Sequence, residues 1–316
     1  MAAVIIAAGA APAAAFDCAK ARTDVERAIC ASDAARQAND RMEAAYFALR
    51  DRLSESGRRL LLDGQKAWLR HRDASCGAEP GCLEETSRTR AEELEKTPAG
   101  MVAIMLHQAG SDDGYEVKIS GYRFEAPAGP AETAYEQWVS ALVADTPYGK
   151  PPEKSNEPHP PYSHEVAIDP PRLMRGLISA VAHSYDYSGG AHPNSWSTSI
   201  NLDRASGRQP DTGELFGSSG ALVLAEACAR QIVEWYSDMY EDMSTDEALA
   251  ELRRTYPQEI ENHVGDMTRW HFDADGAVIR FDPYAVAPYA AGPAECRFGY
   301  GELRALALRP ELLARE

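Results

Sequence analysis

Hydrophobic and polar positions follow one rhythm up to about Lys96 and another from Tyr115 onward. In the first stretch apolar residues recur at helical spacing. Thr23 and Glu26 have capping-box spacing and open a short helix that ends near Cys30. Ser32 or Asp33 caps the next, along which Met42, Tyr46, Leu49 and Leu53 share a face. Ser54 to Gly57 predicts a turn, and Leu61, Gln65, Trp68 and Arg72 line a returning helix. A third helix is expected from about Leu83 to Glu95.

Residues 97–114 are small, polar and glycine-containing and read as a linker, interrupted by the apolar run Met101 to Leu106, a candidate first strand. Beyond it, Tyr115 to Phe124 alternates as a strand does. Ala131–Ala144 predicts a helix, and Pro147 to Pro161 a proline-rich loop. Strands are expected at Ser163–Ile168, Leu177–Tyr187 and Ser195–Leu202. A long helix near Ala221–Met239, helices through Met243–Val264, and strands at Arg269–Phe272 and Ala277–Phe281 follow. The fold class expected is α + (α+β): a small disulfide-stapled helical hairpin domain at 16–96, then a larger α+β domain with an antiparallel sheet at 115–316.

Charge sharpens this division. Of a formal net charge of −17, residues 16–96 contribute −1 (15 basic, 16 acidic) and residues 97–316 contribute −16 (17 basic, 33 acidic). Such a field repels nucleic acid and attracts cationic partners. Asp238, Glu241, Asp242, Asp246, Glu247 and Glu251 concentrate it in one run, which reads as a steering patch or a solvated helix face. Residues 1–15 hold an apolar stretch and an Ala-x-Ala pattern before Phe16, as a signal peptide does, with no basic residue ahead of the apolar run. The expected location is periplasmic or secreted. No later stretch is apolar enough for a membrane span.

Four of the six cysteines, Cys18, Cys30, Cys76 and Cys82, fall in the small helical part, where disulfides matter most. Four cysteines allow three connectivities. Two antiparallel helices joined near residue 56 would bring Cys30 to the Cys76–Cys82 loop, favouring a nested pairing, Cys30 with Cys76 and Cys18 with Cys82. Cys228 and Cys296 form a third bridge or stay as two buried thiols.

The stretch from Phe16 to Leu94, with FDCAKARTDVERAIC, QKAWLRHRDASC and the CL that follows, resembles the family named after the lysozyme inhibitor LprI, a small helical, cysteine-stapled exported domain. Trp68 stands at a signature position of that family and is expected in the core. Ser184–Phe216, Phe272–Pro293 and Gly299–Leu306 resemble the extracellular domain of the RsiV anti-sigma factors, which bind lysozyme, and related cell-wall proteins, over roughly residues 115–310. Both resemblances imply one partner, lysozyme or a related cationic cell-wall hydrolase. The expected function is inhibition that protects peptidoglycan. The alternatives are an envelope protein that binds glycan or another hydrolase, and a peptidoglycan-processing enzyme.

The candidate contact is the loop from Tyr185 to Trp196, offering Tyr187, Gly189, Gly190, His192, Asn194 and Trp196. Aromatic side chains on a loop suit a binding hot spot. The competing reading is a structural turn whose His192 bonds backbone. No HExxH, GxSxG or Walker motif is present, and the eight histidines lack metal-ligand spacing. No metal or cofactor is expected, and the chain reads as a binding protein or inhibitor rather than an enzyme.

Overall fold

The structure, a computed structural model, describes residues 17–109, 115–146 and 162–314. The leader expected at 1–15 and the proline-rich loop at 147–161 lie outside the described residues. The chain divides into two compact units, one ending at His107 and one beginning at Gln108.

The first unit is helical. Helices α1 (Asp24–Ala31), α2 (Asp33–Asp51), α3 (Glu55–Cys76) and α4 (Pro80–Glu95) follow in order. Each start has a side-chain cap. Thr23 Oγ1 accepts from the Glu26 amide at 3.1 Å, and the Glu26 carboxylate accepts from the Thr23 amide at 2.9 Å, closing the expected box. Ser32, Ser54 and Glu79 cap the other three helices. Trp68 is buried, with the Arg72 guanidinium over its ring at 5.1 Å.

The disulfides correct the nested expectation. Cys18 pairs with Cys30 and Cys76 with Cys82, across Cα separations of 5.7 and 5.4 Å. Two facts explain this. α2 packs mainly along α4 rather than α3, so the α2–α3 hairpin is not the dominant pair. α1 does reach the Cys76–Cys82 turn, but through Ile29, which is buried with Cys76 and Leu83. The next residue is about 100° around the helix, and there Cys30 meets Cys18 on the preceding turn, Cys18–Lys20.

The apolar run Met101 to Leu106, the candidate first strand, lies in strand β1 (Met101–Ala109), and the division between the units falls inside it. Its first five residues are buried. Gly64 of α3 makes room for it, since a Cβ there would come within 3.1 Å of the Met105 nitrogen.

The second unit is α+β. Its elements are β2 (Tyr115–Phe124), α5 (Pro130–Asp145), β3 (Tyr162–Ile168), β4 (Arg172–Leu173), β5 (Leu177–Tyr187) and β6 (Asn194–Asp203). Then come α6 (Thr212–Trp235), α7 (Thr245–Thr255), α8 (Glu259–Gly265), β7 (Trp270–Phe272), β8 (Gly276–Phe281), β9 (Ala294–Gly299) and α9 (Tyr300–Leu306). β2 runs parallel to β3; β3, β4 and β6 are each antiparallel to β5. β7, β8 and β9 make a second antiparallel sheet.

The two sheets are joined by a buried polar bridge. Ser179 Oγ donates to Asn201 Oδ1 at 2.7 Å and accepts from the Phe272 amide at 3.0 Å. The Asn201 Nδ2 donates to the carbonyls of Met267 and Trp270, both at 2.8 Å. Around it lies the main core, built on Leu224, Ile232, Trp270, Phe272, Ile279 and Phe298. Cys228 and Cys296 are joined, tying α6 to β9. The turn Asp203–Gly207 leads from β6 to α6, whose start carries an Asp211–Glu214 capping box.

An aromatic hairpin tip beside a charge-paired cleft

The hairpin of β5 and β6 places the candidate loop. Its strands pair from Leu177–Asp203 to Asp186–Asn194, leaving residues 188–193 as the tip. Gly189 and Gly190 lie at φ of 95° and 101°, a region that L side chains rarely adopt. The Tyr187 hydroxyl donates across them to the Gly190 carbonyl at 3.3 Å.

His192 is held from several sides. Its Nδ1 lies 2.9 Å from the Pro193 carbonyl and so donates to it, and its Nε2 lies 3.3 Å from the Tyr284 hydroxyl. The ring stacks on Tyr289 at 4.0 Å between centroids, and the Tyr289 hydroxyl donates to the same Pro193 carbonyl. Tyr284 and Tyr289 come from the β8–β9 connection. Sequence reasoning did not join them to the loop, although each follows a proline, Pro283 and Pro288.

Strand alternation sets the side chains of the β5–β6 hairpin on two faces. Across the register, Asn194 and Trp196 stand on the sheet face of Asp186 and His164. There His164 Nδ1 lies 3.4 Å from Asp186 Oδ1, and the Trp196 ring is 6.3 Å from His164. Trp196 is 40% exposed. His183, Ser195 and Ser197 stand on the opposite face. Together with Ser184 and Trp196 they border a cleft of about 330 Å³, whose far wall is Arg280, Asp282, Pro283, Pro293 and Glu295.

Charges in this wall are paired. Arg280 Nε donates to Glu295 Oε1 at 3.1 Å and Nη1 lies 3.0 Å from His183 Nε2. Asp282 accepts from the Ser197 amide at 3.0 Å and from Arg269. Burial pushes the Asp169 carboxyl up, but the His183 hydrogen bond and the charges of His183, His271 and Arg280 outweigh it, and it titrates below the usual range. His271 behind them is pushed down to about 4, first by burial and then by Arg280. Its Nδ1 is buried with no hydrogen-bond partner.

The first unit has a groove of its own, about 400 Å³, between α1, α2 and α3. Met42, Tyr46, Phe47 and Leu69 supply apolar surface, and Glu26 and Glu43 supply acid. Arg72 closes its floor, donating to Asn39 Oδ1 at 3.3 Å and to Asp73 at 2.8 Å. Tyr46 and Phe47 meet edge to face at 5.3 Å. Burial raises the Tyr46 hydroxyl above its ordinary value.

The acidic run has local duties. Glu247 closes the capping box of α7 with Ser244, and Glu251 pairs with Arg254.

Residues 17–94 match the family model described as Lysozyme inhibitor LprI. Residues 214–301 match the model described as Protein of unknown function (DUF3298), which takes in Arg280, Tyr284, Tyr289 and Glu295 but not the hairpin tip. Two solved structures are similar. A DUF3298-family member from Bacteroides fragilis is 15% identical with a TM-score of 0.49, covering 67% of this chain and 95% of its own. A DUF3298-family protein from Pseudomonas aeruginosa is 17% identical with a TM-score of 0.46, covering 69% and 98%. No curated protein matches the chain. The chain thus carries an LprI lysozyme inhibitor domain at its N-terminal end, followed by a DUF3298 domain.

Proposed function

We propose that the protein binds lysozyme and inhibits it, outside the cytoplasm, so that peptidoglycan is spared. The observation that carries this reading is the match of the disulfide-bonded helical unit, residues 17–94, to the lysozyme inhibitor family. The groove between α1, α2 and α3 is the contact face. Tyr46, Phe47 and Met42 offer the aromatic and thioether surface that anchors interfaces, and Glu26 and Glu43 face a cationic enzyme. The net charge of −16 beyond residue 96 draws such an enzyme in and speeds encounter. Three disulfides fit an oxidising compartment, periplasmic or secreted. The chain acts by binding and needs no chemistry of its own.

The test is peptidoglycan lysis by lysozymes of several classes with the full-length protein added. Stoichiometric inhibition of at least one class is expected, weakening as salt rises. Tyr46→Ala and Phe47→Ala chains that keep their helical signal should inhibit at least about tenfold less well. If no class is bound or inhibited at low salt, the reading falls.

A further inference from the structure

The cleft beside the hairpin tip has a composition that selects its ligand. Arg280 is paired with Glu295 and Asp282 with Arg269, so the wall carries little net charge for an anion or a cation to exploit. Pairing leaves hydrogen-bonding capacity unspent, because each carboxylate offers about four acceptor positions and each guanidinium five donors. The serine hydroxyls and His183 add to both sides. A ligand that uses donors and acceptors together without carrying charge is rich in hydroxyl groups. The volume, about 330 Å³, is that of a small-molecule site.

Three stretches of chain lead from the aromatic platform to residues that line the cleft. Ser195 follows His192–Pro193, Asp282–Pro283 leads into Tyr284, and Pro293 follows Tyr289. The platform is open, with Tyr284 59% exposed. It is also strained. Asp282 to Ala285 form a turn closed by the Ala285 amide on the Asp282 carbonyl at 3.1 Å, with Tyr284 at φ 74° in its third position. Glycine or asparagine is the ordinary choice there. A bulky residue in this conformation is disfavoured, and an exposed ring recovers little of the cost by burial. Strain of this kind persists where the surrounding structure holds it, and it clusters at binding and active sites.

We infer that the Tyr284–His192–Tyr289 platform and the adjoining cleft bind a neutral saccharide. The rings lie against the C–H face of a pyranose, and its hydroxyls bond Glu295, Arg280 and the serines. This inference does not rest on lysozyme binding.

Calorimetric titration of the full-length protein, without lysozyme, with chitotriose, cellotriose and maltotriose tests it. At least one sugar should bind saturably, one molecule per chain. Tyr284→Gly relieves the positive φ; it should melt no lower than the parent and bind at least about tenfold more weakly. Tyr284→Asn, which also tolerates that conformation, should behave the same way and decides the matter if the glycine chain is destabilised. Binding by none of the three sugars, or binding unchanged in both variants, would overturn the inference.

Discussion

The Tyr284 hydroxyl lies 3.3 Å from His192 Nε2, across 92 residues of sequence. This contact couples the β5–β6 tip to the β8–β9 connection, and it depends on the Pro193 carbonyl keeping the proton on Nδ1. A double-mutant cycle of His192→Ala and Tyr284→Phe in urea should give a coupling of about 0.5–1 kcal/mol. Strict additivity would mean the two segments are independent.

Asn201 is fully buried and bonds Ser179, Met267 and Trp270 at once. Asn201→Ala leaves two carbonyls without their donor and the Ser179 hydroxyl without its acceptor between the sheets. The expected loss is about 3 kcal/mol, read as a lower denaturation midpoint with unchanged slope. Asn201→Asp should do no better, since it cannot donate to the two carbonyls.

His271 supplies an acid-sensitive element. Its folded value of about 4 lies below the ordinary 6.5, so the unfolded chain binds more protons between these limits. The stability it supports is whole above about pH 6.5 and is lost as the pH falls toward 4. His271→Phe should flatten this part of the stability profile by a few kcal/mol, measured by denaturation at stepped pH. A parallel profile in the variant would assign the acid loss elsewhere.

Proteolysis without reduction should release linked peptides Cys18–Cys30, Cys76–Cys82 and Cys228–Cys296. A Cys18–Cys82 peptide would restore the nested pairing. Replacing Cys228 and Cys296 by serine opens a loop spanning 68 residues and should cost about 4 kcal/mol.

Local signals were legible in the chain, and long-range ones were not. The Thr23–Glu26 box and strand β5 follow from capping chemistry and alternation over neighbouring residues. The cleft joins Ser197 to Asp282 and His183 to Arg280, 85 and 97 residues apart, which no local pattern encodes. The nested disulfides failed for a finer reason. The proximity of α1 to the Cys76–Cys82 turn is real, but the helix rotation that aims Ile29 there turns Cys30 away. Trp196 faces His164 while His183 faces Arg280 on the other side, because alternation assigns faces only once a register exists.

Every bridge joins cysteines that are consecutive along the chain: first to second, third to fourth, fifth to sixth. A thiol oxidase meeting the chain as it emerges, N-terminus first, would therefore make the native set by pairing each new cysteine with the one left open before it. No isomerase is needed to undo a wrong bond. The first two bridges close over 12 and 6 residues and can form before the third pair has appeared. The helical unit can thus be locked while the rest of the chain is still in transit.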